Sequence, residues 1–220
     1  MALSNELPDL FPWVYDREVI KALFFDYGGV IADDSAGKNL YEQLAANLAI
    51  STDAAWKMLS PLWPQLSRGT ISESEVWEKL EQRYGRSIAL DKRAIWNSWA
   101  RMPIHEEMLN FANELKQNGY VIGIISTTIE STAEDIRAHG GYAPFDPVIL
   151  SYEVGYAKPD PEIYRIALER LPGTASNEVI FLDDREMCIP PAQQLGMHTV
   201  LVENPLQAIA ATRHLLEVNR

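Results

Sequence analysis

The sequence predicts an α/β fold: a doubly wound parallel sheet with a helical domain inserted after the first strand. Three observations carry this. Short apolar runs recur along the chain, helical patterns alternate with them from residue 105 to the end, and the alternation breaks between residues 35 and 104. Four runs read as buried strands: "KALFFD" (21–26), "YVIGIIS" (120–126), "VIFLDD" (179–184) and "HTVLVEN" (198–204). A fifth, "DPVILS" (146–151), is weaker. Several runs are continuous rather than alternating in polarity, as expected when helices cover both faces of a parallel sheet.

The helices between them carry their own signals. "HEEMLNFANELKQNG" (105–119) sets Met108, Phe111, Ala112 and Leu115 on one face and stops at Gly119. "DPEIYRIALERL" (160–171) opens with Asp160 as N-cap and Pro161 at the first helical position. Strand and helix in alternation imply the doubly wound sheet. Between residues 35 and 104 no strand is evident, and helical patterns dominate: "GKNLYEQLAANLAI", "TDAAWKMLSPLW", "SESEVWEKLEQRYG" and "DKRAIWNSWARM". Ser72 and Glu75 have capping-box spacing just before Val76 and Trp77. Trp56, Trp63, Trp77, Trp96 and Trp99 all fall here and read mostly as helix-packing core. The expected organisation is an N-terminal extension (1–19) packed against the core, a core domain from 20–34 and 105–220, and a helical domain from 35–104.

Composition narrows the function. The chain has 220 residues, 47% of them hydrophobic, enough for a well-buried domain with an insert. A net charge of −12 argues against nucleic acid, because binding a polyanion draws on basic contacts this chain lacks. The single cysteine, Cys188, rules out an intramolecular disulfide and argues against a Cys-based zinc cluster. It reads as a small buried apolar residue. The N-terminus has no basic start followed by an apolar run, and no run approaches the ~18 residues of a membrane span. A cytoplasmic protein without a membrane partner is expected.

In an open α/β sheet, ligands bind at the carboxyl ends of the strands. Here those ends carry Asp26, Ser126, Asp183 and Asp184, and Lys158 follows in "GYAKPDP". Three carboxylates in one cleft would repel unless neutralised, and a divalent cation does that. Hard oxygen ligands favour Mg²⁺, which keeps waters and also binds substrate phosphate. The set therefore reads as phosphoryl transfer. Mg²⁺ and Lys158 neutralise the phosphate, Ser126 and loop amides hold its oxygens, and Asp26 attacks phosphorus.

"FFDYGGV", "IIST", "LSYEVGYAKPDPEIY" and "FLDDREMCIPPAQQLGM" have the order and spacing of four motifs. In these the chain resembles the haloacid dehalogenase-like hydrolases over about residues 20–205. The resemblance implies that Asp26 is the nucleophile and forms an aspartyl-phosphate. It implies that Asp26, the Gly28 carbonyl, Asp184 and Asp183 hold Mg²⁺. Ser126 and Lys158 would bind phosphate, with Thr127 beside them where the family often has Asn. The 35–104 insert resembles the C1-type cap that closes over the site and selects substrate. Cys188 stands where an Asp or Asn is usual in the fourth motif.

One departure bears on the chemistry. Phosphatases of this family usually carry a second aspartate two residues after the nucleophile, and here that position is Gly28. Losing a general acid–base costs ~10²–10⁴ in rate. "DYGGV" is similar to a subgroup with Asp-x-Gly-Gly/Asn-Val that includes sugar-phosphate phosphatases. Either the leaving group needs little protonation, as in an acyl phosphate, or a cap residue or ordered water supplies the proton. Asp33 and Asp34 read as hinge-loop residues. The expected activity is Mg²⁺-dependent hydrolysis of a small phosphorylated metabolite such as a sugar phosphate. Two alternatives stand beside it: a 2-haloacid dehalogenase, against which Gly28 and "LDDR" argue, and a binding or regulatory protein that lost its acid at Gly28.

Overall fold

The computed structural model describes residues 19–35, 39–96 and 101–219. The expected packing of residues 1–18, and Trp99, lie outside the described residues. All five expected strands form: β1 (Ala22–Phe25), β2 (Val121–Ser126), β3 (Val148–Leu150), β4 (Val179–Asp183) and β5 (His198–Leu201). They make one parallel sheet in the order β3-β2-β1-β4-β5. The chain winds outward from β1 through β2 to β3, then crosses back to β4 on the other side. The reversal falls at β1, the place where such sheets open a crevice for ligands. Phe25 is level with Ile124 on β2 and Leu182 on β4. The residues that follow these three strands therefore emerge at one edge.

Successive side chains leave a strand on opposite faces, and both faces are covered. Leu23, Phe25, Ile122, Ile124, Ile180 and Leu182 pack on one side with Met108, Phe111, Ala112 and Leu115 of the helix Glu106–Gln117. Phe24, Phe181 and Val179 pack on the other with Ile163, Tyr164 and Ala167 of the helix Pro161–Glu169. Cys188 belongs to this second layer and is fully buried. That burial pushes its thiol up to about 11, so it behaves as a small apolar residue. Asp160 accepts from the Glu162 N–H as the N-cap of Pro161–Glu169.

The insert has its own apolar core. Leu40, Leu44, Leu48, Leu59, Val76, Trp77 and Leu80 pack together across the helices Leu40–Leu48, Thr52–Leu59 and Glu73–Tyr84, and Trp96 of a following turn joins them. The capping box closes as expected: Glu75 N–H donates to Ser72 Oγ at 3.2 Å and Ser72 N–H to Glu75 Oε2 at 2.7 Å. The "DKRAIW" stretch differs from its helical pattern, forming two 3₁₀ turns, Leu90–Lys92 and Ala94–Trp96. Ile95 and Trp96 are adjacent and both buried. An α-helix lying with one face on the core would turn the second of them away. The tryptophans divide. Trp77 and Trp96 are core, as expected, but Trp56 is 52% exposed and Trp63 is half-buried.

Several contacts tie the insert to the sheet edge, among them a Ser131 N–H donating to Glu73 Oε1 at 3.3 Å. Ser151 Oγ donates to Ser67 O at 2.5 Å, and Ile129 packs into the insert's apolar cluster. Where the insert leaves and rejoins the sheet domain, Asp33 N–H donates to Pro103 O at 2.8 Å and His105 N–H to Ile31 O at 2.9 Å. No helix among the described residues is long and apolar enough to cross a membrane.

Candidate active site

The sheet edge gathers the residues singled out from the sequence. Asp26 follows β1, held by its N–H donating to Leu182 O at 2.8 Å. Its Oδ1 accepts from the Tyr27 N–H at 2.7 Å. Its Oδ2 lies 2.8 Å from Lys158 Nζ. The same ammonium is 2.5 Å from Asp183 Oδ2, and it is completely buried. The lysine thus sits between two carboxylates, behind the open face. Its own N–H donates to Thr127 Oγ1 at 3.1 Å, which joins the Lys158 loop to the end of β2. Ser126 is the last residue of β2 and is buried.

Asp26, Asp183 and Asp184 each bring a carboxylate oxygen within 4.8 Å of the others. Hard carboxylate oxygens at this spacing fit a divalent cation such as Mg²⁺. Their oxygens are not equally available. Asp183 Oδ2 faces Lys158, and its Oδ1 accepts the Arg185 N–H at 2.9 Å. Asp184 is half-buried and faces the cavity. Electrostatics follow the same division. Burial pushes the Asp26 carboxyl up to about 6 against the pull of Lys158. Burial and the neighbouring Asp183 charge also raise Asp184. Burial raises Asp183 too, but Lys158 and Arg185 together hold it below the usual aspartate range. A cation would relieve the two raised carboxylates.

Two features went unrecognised in the sequence. Arg185 reaches back to the site, with Nη2 3.7 Å from Asp26 Oδ2 and Nε 3.6 Å from Asp183 Oδ1. Its position directly after the aspartate pair was the available signal. Gly29 adopts φ +79°, and a Cβ built there would lie 2.4 Å from the Asp184 carboxylate carbon. A side chain is excluded both by conformation and by space. Gly29→Ala is expected to displace Asp184, weakening Mg²⁺ binding ~10–100-fold, the scale seen when a ligand's supporting contacts are lost. Calorimetric titration with Mg²⁺ checks this; parent-like affinity would show that Asp184 does not need the close approach.

A cavity of about 200 Å³ opens beside Asp26, lined at this edge by Gly28, Asp34, Ser126, Thr127, Asp184 and Arg185. Carboxylate, hydroxyl and guanidinium groups around one small cavity can hold a cation and a phosphate together and present a nucleophile.

A family model for haloacid dehalogenase-like hydrolases matches residues 20–196. The chain belongs to that family and is a hydrolase of the haloacid dehalogenase-like fold. Among curated proteins it is 31% identical over 210 residues to bifunctional epoxide hydrolase 2 of Rattus norvegicus, covering 86% of this chain but 38% of that protein. The chain thus spans well under half the length of that relative. It is 24% identical over 204 residues to D-ribitol-5-phosphate phosphatase of Bacteroides thetaiotaomicron, covering 84% of this chain and 93% of that one. Among solved structures it resembles a variant of a haloacid dehalogenase family enzyme from Bacteroides thetaiotaomicron, crystallised with magnesium and inorganic phosphate. The TM-score is 0.65 at 25% identity, over 82% of this chain and 93% of that chain.

Proposed function

We propose that this chain hydrolyses small phosphomonoesters, of the sugar-phosphate or a similar metabolite class, through an aspartyl-phosphate on Asp26. The observation that carries this reading is the convergence of Asp26, Asp183 and Asp184 within 4.8 Å, with Lys158 Nζ 2.8 Å from Asp26. The relatives' phosphatase name and the magnesium–phosphate complex support it. Mg²⁺ held by Asp26, Asp184, the Gly28 carbonyl and Asp183 would supply positive charge against the phosphate oxygens. Asp184 is the more available of the aspartate pair, since Lys158 and Arg185 occupy Asp183.

Asp26 attacks phosphorus with a carboxylate oxygen, and the bond from phosphorus to the ester oxygen breaks. The departing alkoxide takes a proton from a water molecule, since Gly28 supplies no acid, and the water that attacks in the second step returns one to solvent. Water then attacks phosphorus, the bond to Asp26 breaks, and inorganic phosphate leaves with the carboxylate restored. Ser126, Thr127 and Lys158 hold the phosphate oxygens through both steps. The insert, tied to the site at Ser67–Ser151 and Ile129, acts as a cap that limits water and selects the leaving group.

The experiment is phosphate release from aryl, acyl and sugar phosphates, with Mg²⁺ and then with EDTA. Turnover that needs Mg²⁺ is expected. No turnover on any ester, in folded protein, sinks the reading, and chloride release from a 2-haloacid without Mg²⁺ would replace it.

Gly28 is testable separately. A Cβ built there meets only Asp34 Cβ, at 3.4 Å, an ordinary contact. Gly28→Asp is therefore expected to fold. A general acid helps only a leaving group that needs a proton. Turnover of alkyl phosphates should rise about tenfold or more, with aryl and acyl phosphates little changed. An unchanged alkyl rate would mean that the proton already arrives from elsewhere.

A further inference from the structure

The cavity beside Asp26 is divided by charge. Every charged residue in its described lining, namely Asp26, Asp34, Asp184 and Arg185, clusters at the end of β1 and β4. The remainder, which would receive whatever the phosphate is attached to, is built from Tyr27, Trp63, Met102, Ile136, Tyr142, Thr128 and Thr132. No other charged side chain is among the described lining residues, and the Arg137 guanidinium, whose charge Tyr142 feels, is already engaged by Glu134 and Glu153. A second charge on the substrate would be desolvated there without a partner, which is costly. The cavity, at about 200 Å³, is also smaller than the ~300–1,000 Å³ of sites for drug-sized ligands.

A second, independent observation sits at the same end. Thr132 Oγ1 and Tyr142 OH are buried side-chain oxygens with no hydrogen-bond partner. Their residues are 4% and 5% exposed, and both line the cavity. Buried polar atoms are nearly always paired, so two orphans beside one cavity point to a group that arrives with the ligand. Two unpaired hydroxyls can serve one or two oxygens, not the many of a long polyol.

We propose that the leaving group is a small, uncharged, largely apolar alcohol with one hydroxyl or carbonyl oxygen remote from the phosphate, met by Tyr142 and Thr132. This rests on the phosphomonoesterase reading and narrows it away from sugar phosphates, whose several hydroxyls outnumber the unpaired partners at this end. Trp63 and Met102 cover the apolar face, and specificity comes from the absence of countercharge as much as from contact.

The test compares kcat/KM for four Mg²⁺-dependent substrates of matched size: an alkyl or aryl monophosphate with one distal hydroxyl, the same ester without it, a polyol phosphate, and an ester with a distal carboxylate. The hydroxylated ester is expected to lead the plain one about tenfold and the carboxylated one about a hundredfold. Tyr142→Phe should bring the ratio of the first two towards one. Met102→Lys should raise the carboxylated ester about tenfold by supplying the missing charge. A preference for the polyol or the carboxylate, with Mg²⁺-dependent release intact, overturns this inference and leaves the phosphatase standing. An unchanged ratio in Tyr142→Phe overturns the place given to that hydroxyl. No release from any ester overturns both readings together.

Discussion

Asp26→Asn is expected to lower phosphate release by at least ~10⁴, yet to raise the melting temperature of the metal-free protein. The first effect follows from removing the nucleophile; losses of this order or larger attend the removal of a covalent catalytic group. The second follows from its burial. The folded-state carboxyl of Asp26 is pushed from 3.8 to about 6, chiefly because burial disfavours its charge. Below 3.8 the carboxyl is protonated in both folded and unfolded chains, and its full contribution to stability is present. As pH rises from there through about 6, the unfolded chain releases the proton more readily, and that contribution is lost. At pH 7 the ionised side chain therefore costs stability, on the order of 1 kcal/mol or more, or about 2–4 °C for a chain of this size. Asparagine escapes that cost while keeping an oxygen for the Tyr27 N–H. Thermal unfolding at pH 7 and pH 4 distinguishes the terms. The variant should lead at pH 7, and the lead should shrink at pH 4. Mg²⁺ should also close the gap by stabilising the parent. A variant less stable than the parent at pH 7 would mean that the Lys158 attraction outweighs burial.

Lys158→Met is expected to cost both activity and stability. Lys158 Nζ lies 2.8 Å from Asp26 and 2.5 Å from Asp183, and it is completely buried. Removing one partner of a buried charge cluster typically costs ~3–5 kcal/mol, because the remaining charges are left uncompensated. Asp183 suffers most. Although burial works to raise it, Lys158 and Arg185 hold it below its ordinary value in the folded state. Such a depressed carboxyl stabilises the fold above the unfolded aspartate value and loses that effect as pH falls. The deficit of Lys158→Met should thus be largest near neutral pH and shrink in acid. Phosphate release should fall ~10²–10³, the scale of losing one preorganised charge donor. Denaturant melts across pH and initial rates check both. A stable, slow variant would make Lys158 a phosphate ligand alone; an active, unstable one would make it a counter-ion alone.

These two residues also mark how much was legible beforehand. Asp26 was visible because four apolar residues run into a carboxylate, a local pattern that needs no partner to be noticed. All five strands were read on the same basis, as was the capping box at Ser72 and Glu75, since each rests on residues only a few positions apart. Lys158 was found through its surrounding motif, but its position between Asp26 and Asp183 was not. Neither residue is near it in sequence, and the pairing exists only because β1 and β4 are neighbours in the sheet. Arg185 directly follows the aspartate pair, yet its reach back to Asp26 depends on the turn after β4. The tryptophans show the same limit. Helical spacing could not separate Trp77 in the core from Trp63 at the cavity, because both lie in amphipathic patterns and only packing decides which face each meets.

The sequence by itself determined the alternation of strand and helix, the interruption by a helical insert, and the arrival of Asp26, Ser126 and the Asp183–Asp184 pair at strand ends. Those are consequences of short-range hydrophobic period and of where carboxylates interrupt it. The tertiary structure alone decided which aspartate oxygens are taken by cations and which are free to face the cavity. It also decided that Gly29 must lack a side chain, and that the Thr132 and Tyr142 oxygens are left without partners. These depend on distances of a few ångströms between residues far apart in the chain. Sheet order, strand register and the docking of the insert set those distances, and no local pattern encodes them.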